Sequence, residues 1–264
     1  PGRARTRAMA SHDFTSTRLF LRTRIVAGST CSLERSQANY LVNVLRLSDS
    51  AEIVVFNGQD GEWRATLRGG GRRMWSLEFG EQLRPQPPAP DLHYLFAPLK
   101  QARQDYMVQK AVEMGAGRLR PVLTQHGQVG RVNLERMESN AIEAAEQCGI
   151  LNLPTIDEPV RLASVLEAWS DREADRRLIF CDEGEETADP LATLRAVEPA
   201  PLAVLIGPEG GFSAEERAFL RTRPFVTALP LGPRILRADT AAVAALALVQ
   251  AALGDWRDAA PGPH

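Results

Sequence analysis

Four prolines fall within the six residues Pro85-Gln86-Pro87-Pro88-Ala89-Pro90, and the pattern of apolar residues differs on their two sides. Proline lacks an amide hydrogen and fixes φ near about −65°, so such a run favours a stiff extended linker without ladder bonds. No single sheet or helix can run through it. Upstream, β-forming runs recur at Arg18-Leu19-Phe20-Leu21, Ala51 to Phe56, Glu62 to Leu67 and Met74 to Phe79. Asn57-Gly58 and Gly69-Gly70-Gly71 supply turns between them. A short helix is expected from Ser36 to Leu45, and strands at this spacing predict a small β-barrel over residues 14–84. The linker then takes residues 85–91 and a second domain residues 92–256.

In that second domain strands and helices alternate. Strands are expected at His93 to Leu99, Leu119 to Leu123, Arg177 to Cys181, Leu202 to Ile206 and Val226 to Leu231, the last two buried. Helices are expected at Gln101 to Met114, closed by Gly115, at Asn133 to Cys148, closed by Gly149, at Val160 to Trp169 and at Pro190 to Val197. Thr240 to Leu253 is apolar nearly all round, which predicts a buried helix, one that another subunit could cover. Such alternation implies an α/β domain with a largely parallel sheet covered on both faces.

Net charge is only -2, but it is unevenly spread. Residues 1–90 carry 13 arginines against 8 acidic residues, while residues 91–264 carry 18 basic residues against 25 acidic ones. A basic module that meets a polyanion, joined to a larger domain that need not, fits this asymmetry. Cys31, Cys148 and Cys181 are odd in number and far apart, and the four histidines are scattered. A disulfide framework and a metal site are therefore not expected, and a reducing cytoplasm fits. The apolar stretch Ala241 to Leu253 is too short to span a bilayer. Pro1 to Arg7 is arginine-rich and lacks the apolar region of a secretory signal.

Two segments near the C-terminus carry the chemistry: Leu205-Ile206-Gly207-Pro208-Glu209-Gly210-Gly211-Phe212-Ser213 and Leu231-Gly232-Pro233-Arg234-Ile235-Leu236-Arg237-Ala238-Asp239-Thr240. Each follows an apolar run and precedes a helical pattern, which puts both at the C-terminal edge of the sheet, where open α/β sheets bind ligands. Ser213 and Glu216 form a capping box for the helix between them. A phosphate loop would need a lysine after its glycines, whereas this loop has Glu209. The dinucleotide fingerprint is also missing. A ligand without phosphates, and one whose cationic group tolerates a carboxylate, fits better; S-adenosylmethionine has both properties.

The two segments resemble the signature segments of the 16S ribosomal RNA (uracil-N3)-methyltransferase family of the SPOUT superfamily. Gln109-Lys110-Ala111-Val112-Glu113-Met114-Gly115 and Glu143-Ala144-Ala145-Glu146-Gln147-Cys148-Gly149 resemble two of its helices. Val44-Leu45-Arg46-Leu47 and Phe56-Asn57-Gly58 resemble its PUA-like barrel. The resemblance covers about residues 18–254. It implies a SPOUT-type parallel sheet with a C-terminal trefoil knot, preceded by a small PUA-like RNA-binding barrel. It also implies S-adenosylmethionine as cofactor, 16S ribosomal RNA as substrate (in the assembled small subunit), and a homodimer. Three positions depart from the family pattern: Asp239 where glutamate is usual, Ile150 where a basic residue is common, and Gln125-His126 where Glu-Arg is common.

On this resemblance Ile206, Gly207, Pro208, Glu209, Gly210, Leu231, Gly232, Ile235, Leu236 and Thr240 are the expected cofactor contacts. Arg234 and Arg237 are expected to hold uracil oxygens or nearby phosphates, with Asp239 orienting an arginine or accepting the N3 proton. The alternative for Asp239 is a carboxylate that complements a helix N-terminus. Arg22, Arg24 and Arg46 are the candidate RNA contacts of the barrel. Two other functions stay open: ribose 2′-O-methylation by the same fold, and a non-catalytic RNA-binding factor in ribosome assembly.

Overall fold

The computed structural model describes residues 16–70, 73–173, 175–182 and 189–257. Pro1 to Arg7, the domain start at residue 14 and Gly71 of the glycine turn lie outside the described residues. The chain divides into two compact units, residues 1–88 with 145–152, and residues 89–144 with 153–264.

The first unit holds strands β1 (Arg18–Phe20) and β2 (Thr30–Ser32), helix α1 (Arg35–Asn39), and strands β3 (Glu52–Phe56), β4 (Glu62–Gly70) and β5 (Arg73–Arg84). They form one five-stranded sheet in the order β1-β3-β4-β5-β2. β1 runs parallel to β3, and the other pairs are antiparallel. Alternate residues point inward, so Ile53, Val55, Ala65, Leu67, Leu77 and Phe79 build the core with Leu41. The helix expected at Ser36 to Leu45 starts with α1 and continues through Tyr40–Val44 with one wider turn. It ends at Arg46, whose φ of 58° is left-handed. A β-carbon makes that conformation costly, by about 1–2 kcal/mol.

Between β3 and β4 the Asn57 side-chain oxygen accepts the amides of Gln59 and Asp60 at 3.0 and 2.8 Å, which closes the turn locally. Beside it lies a buried charge cluster. Glu62, only 3% exposed, pairs with both Arg18 and Arg84. Burial pushes the Glu62 carboxyl up, but the Arg84 bond and the Arg18 charge outweigh it and hold it below its ordinary range.

Residues 145–152 complete this unit, although the strand–helix pattern reads them as part of the other. The Phe20 amide donates to Glu146 Oε1 at 2.8 Å, Arg84 Nη2 to the Gly149 carbonyl at 2.9 Å, and Gln86 Nε2 to Asn152 Oδ1 at 2.7 Å. These bonds occupy an edge-strand amide and polar groups of the linker that the short sheet leaves over.

The second unit alternates as its sequence implies. β6 (Leu92–Phe96), α2 (Gln101–Glu113), β7 (Arg118–Leu123), α3 (Leu134–Cys148, whose last turn from Ala145 belongs to the first unit) and β8 (Thr155–Ile156) come first. β9 (Val160–Arg161), α4 (Leu162–Glu167), α5 (Trp169–Arg172), β10 (Arg177–Cys181) and α6 (Pro190–Arg195) follow. β11 (Leu202–Ile206), α7 (Ala214–Arg221), β12 (Val226–Leu229) and α8 (Ala238–Ala252) complete it. The strand order is β12-β10-β11-β6-β7-β8, every pair is parallel, and β9 adds to β7. β6 and β11 sit at the centre with every residue buried, as the apolar runs of a parallel sheet require.

Several expected elements are corrected; the strand expected to run to Leu99 ends at Phe96, and the helix expected to run to Val197 ends at Arg195. Val160 to Trp169 is not one helix: β-branched Val160 joins Val122 in the sheet, and two short helices follow, turning Leu162, Leu166 and Trp169 inward. β12 stops at Leu229, short of Leu231, and as an edge strand leaves Val226 to Ala228 only half-buried. α8 starts at Ala238, two residues earlier than expected, and buries one face through Ala242, Ala245, Leu246 and Val249 against α2, α6 and β11. Gln250 on that face is satisfied, since its Nε2 donates to the Met114 carbonyl at 2.8 Å.

Candidate functional site

A cavity of about 730 Å3 opens at the C-terminal ends of β10, β11 and β12. Its first wall is the loop after β11. Ile206 ends the strand, and Gly207 follows with no room for a side chain: a Cβ there would lie 2.6 Å from Phe212 Cε2. The Phe212 ring is itself fixed, edge-on to Phe180 at 5.0 Å between centroids. The Gly211 amide bonds to the Pro208 carbonyl at 2.9 Å and closes the turn. Beyond it Ser213 caps α7, its Oγ accepting the Glu216 amide at 3.1 Å while its own amide donates to Glu216 Oε2 at 3.0 Å. Glu216 Oε1 also accepts the Gln125 amide at 2.8 Å, so the turn is tied at both ends.

The second wall is the segment from Pro230 to Ala238. Gly232 has φ of 89°, a left-handed conformation that selects glycine. Arg234, Ile235 and Arg237 are exposed, and Ile235 at 87% is far more exposed than an aliphatic side chain gains from by itself. The side chains of Arg234 and Arg237 have no charge or hydrogen-bond partner among the described residues.

A third side comes from α2 and β10, which the sequence pattern does not single out. Arg103, in the first turn of α2, reaches Glu209 of the first wall with Nη1 3.5 Å from Oε1. Cys181 and Asp182 end β10 in the cavity lining. Burial pushes the Cys181 thiol up to about 12, so it stays protonated and is no nucleophile. Asp182, with a fully buried side chain, pairs with Arg221 at 2.8 Å and Arg217 at 3.4 Å on α7. The spacing of Arg217 and Arg221, one helical turn apart, is a signal that could have pointed to an acidic partner. Arg103 carries a signal too. It is a cation in a first helical turn that has no acidic residue, where the macrodipole favours acids.

Ten of the expected site residues line the cavity together: Ile206, Gly207, Pro208, Glu209, Leu231, Gly232, Arg234, Ile235, Leu236 and Arg237. Three do not. Gly210 faces the β7–α3 loop, its carbonyl 3.3 Å from His126 Nδ1. Thr240 is exposed on α8, and its amide donates to Asp239 Oδ1 at 2.9 Å. Asp239 is half-buried in the first turn of α8, where the helix dipole favours a carboxylate. Beneath the sheet edge Tyr94 is fully buried, its hydroxyl on Met107 Sδ at 2.9 Å. Burial, with smaller contributions from Cys181 and Asp239, holds its phenol well above the usual value. Neither Tyr94 nor Cys181 supplies a base at neutral pH.

On the first unit Arg22, Arg24 and Arg46 are all exposed. The Arg22 guanidinium lies 5.9 Å from the centroid of the Phe20 ring, within cation–π range. The described residues include no helix long and apolar enough to cross a membrane.

Comparison with known proteins bears out the resemblance that the two loops carry. The model of the RNA methyltransferase domain matches residues 85–250, and that of the RNA methyltransferase PUA domain matches residues 33–73. Ribosomal RNA small subunit methyltransferase E of Rickettsia conorii is 28% identical over 235 residues, covering 88% of this chain and 94% of that protein. The enzyme of the same name from Synechocystis is 28% identical over 239 residues, covering 89% of this chain and 78% of that one. Among solved structures, a putative methyltransferase from Legionella pneumophila, in complex with bound S-adenosylmethionine, is 27% identical with a TM-score of 0.76. The match covers 91% of this chain and 99% of that one. A ribosomal RNA small subunit methyltransferase E from Neisseria gonorrhoeae shares the fold at 23% identity and a TM-score of 0.78, covering 90% of this chain and 98% of that one.

Proposed function

The chain belongs to the RNA methyltransferase domain family, and on that premise we propose that it methylates N3 of a uridine in small-subunit ribosomal RNA with S-adenosylmethionine as donor. The observation that carries this reading is the pair of guanidiniums without partners among the described residues, Arg234 and Arg237, on the wall of a cavity whose loops are otherwise mostly glycine, proline and aliphatic side chain.

The cavity fits the donor in size and in kind. Ligand sites run from about 300 to 1,000 Å3 and combine apolar walls with a few polar groups, and this one holds about 730 Å3. Ile206, Leu231, Ile235 and Leu236 would wall the adenine, while Gly207, Pro208 and Gly232 present backbone and Glu209 a carboxylate suited to a cation. When bound, S-adenosylmethionine supplies a methyl group on a positively charged sulfur, which becomes a neutral thioether as the methyl leaves.

The residues of the chain then have to make the acceptor nucleophilic. Uracil N3 carries a proton and is a poor nucleophile until that proton leaves and negative charge spreads onto O2 and O4. Arg234 and Arg237 donate to those oxygens and favour the anion. The proton passes to solvent at the open rim. Asp239 lies outside the cavity lining and serves the N-terminus of α8 in this reading, rather than acting as base. The N3 lone pair forms the new N–C bond, so charge is neutralised on both partners.

The wider reading includes the other inferences from the family. Arg22, Arg24 and Arg46 contact RNA phosphates on the first unit. A second copy of the chain covers Ile235, whose exposure supports a homodimer. The C-terminal loops form a trefoil knot, with which the order β12-β10-β11-β6 is consistent. The substrate is the assembled small subunit, and the protein works in the cytoplasm. Small ribosomal subunits lacking the modification, incubated with labelled S-adenosylmethionine and digested to nucleosides, test the central claim. Label in 3-methyluridine is expected. Label in a 2′-O-methylated nucleoside, or none, overturns it.

A further inference from the structure

Arg103 has an unusual setting for a helix-surface arginine. It sits in the first turn of α2, which contains no acidic residue, and Lys100 occupies the cap position just before it. The amide end of a helix carries partial positive charge, so two cations there repel it and each other. That arrangement is unfavourable in the free protein and favourable once an anion arrives. Arg103 also lines the cavity that holds Arg234 and Arg237.

Its pairing with Glu209 is loose. Arg103 Nη1 stands 3.5 Å from Glu209 Oε1, and the two side chains are 39% and 32% exposed. A well-formed guanidinium–carboxylate bond is about 2.7–2.9 Å, and a solvated pair at longer range contributes little. By contrast Asp105, two residues along the same helix, binds Arg136 through three bonds of 2.6 to 3.0 Å. The helix therefore carries committed ion pairs at Asp105–Arg136 and Lys110–Glu113, and one at Arg103 that exchanges easily.

We propose that Arg103 is a phosphate-binding residue of the substrate site, resting on Glu209 in the free protein and passing to an RNA backbone phosphate when substrate docks. A guanidinium is suited to this exchange, since it meets carboxylate and phosphate oxygens with the same fork of donors. Arg103 is a positioning residue in this scheme. It anchors a phosphate beside the target uridine and leaves Arg234 and Arg237 for the base. The inference rests on reading the cavity as an RNA methyltransferase site.

Binding of a small-subunit ribosomal RNA transcript, followed by fluorescence anisotropy without cofactor across a range of KCl concentrations, tests it. Removing one cation from a phosphate lowers the slope of log affinity against log salt by about 0.7 to 0.9. Arg103→Gln should lower the slope by that amount and weaken binding about 3- to 10-fold at low salt. Arg103→Lys should retain the slope, and Glu209→Gln should tighten RNA binding by releasing Arg103. In methylation assays the Arg103→Gln loss should fall on KM for RNA rather than on kcat, with S-adenosylmethionine affinity by calorimetry within twofold of the parent. An unchanged salt slope in a folded Arg103→Gln protein overturns the proposal, and so does a collapse of cofactor affinity, which would make Arg103 a wall of the cofactor cavity. Because the anisotropy needs no methyl transfer, failure of the parent to form 3-methyluridine would refute the proposed function separately.

Discussion

Replacing Gly207 with alanine separates two reasons why a glycine stands in a ligand loop. The backbone of Gly207 is not left-handed, so alanine carries no conformational penalty there. The obstacle is the Phe212 ring. An added Cβ would meet Cε2 at 2.6 Å, Cδ2 at 3.0 Å and Cζ at 3.1 Å, against an optimal carbon–carbon separation of about 3.5–4.0 Å. The ring must retreat by roughly 1 Å to restore that separation, but it is buried and held edge-on to Phe180. Overpacking of this kind costs about 1–3 kcal/mol, and loss of the ring pair adds about 0.5–1.5 kcal/mol. Gly207→Ala should therefore lose about 1.5–4.5 kcal/mol in urea unfolding. Its affinity for S-adenosylmethionine by calorimetry should fall with it, since Ile206, Pro208 and Glu209 move with the turn. In a Phe212→Leu background the same change meets a smaller side chain, so most of both losses should disappear. If Gly207→Ala is as damaging with Leu at position 212 as with Phe, the ring does not set the requirement, and approach of the ligand to the backbone does.

Other changes test the remaining parts of the molecule. Glu62→Gln leaves Arg18 and Arg84 without their buried counter-charge and should cost about 3–5 kcal/mol in thermal or urea unfolding. The Glu62 carboxyl is held below its ordinary value, so its contribution is complete above the unfolded value of about 4.3 and is lost as pH falls through the folded one. An acid-unfolding profile of Glu62→Gln should lack that step. Arg237→Gln should lower kcat for methylation about 100-fold or more, the scale for loss of one charge-stabilising donor, while calorimetric cofactor affinity changes little. Asp239→Asn should retain kcat within about threefold and lose only about 0.5 kcal/mol of stability through the helix dipole; a fall of two orders of magnitude would identify Asp239 as the base.

The sheet of the second unit is legible in the sequence because parallel strands buried on both faces are short continuous apolar runs, as at Leu202 to Ile206. The Ser213–Glu216 box is legible because its signal lies within four residues. Edges are harder to read. Val160 and Arg161 form a two-residue strand whose existence depends on Val122, some forty residues away, and nothing local distinguishes it from the start of a helix. The site shows the same division. Residues on the two loops are readable from their glycines and arginines, whereas Arg103, Cys181 and Asp182 reach the cavity only through the parallel stacking of β10, β11 and α2. Asp239 is absent from the lining for a related reason: it sits in the first turn of α8, and spacing from Arg237 does not reveal which residues of that turn reach the cavity.

The inclusion of residues 145–152 in the first unit sets an order of events during synthesis. A ribosome that has released Pro88 has delivered the five strands of that unit but not Glu146, which accepts the Phe20 amide, nor Gly149, which accepts from Arg84. Roughly sixty more residues must emerge first, and at about 5–20 residues per second that takes about 3 to 12 s. Through that interval the edge strand and the charge cluster of the first unit wait on a helix of the second pattern. A protein cut at the proline run would leave its N-terminal third permanently in that unfinished state.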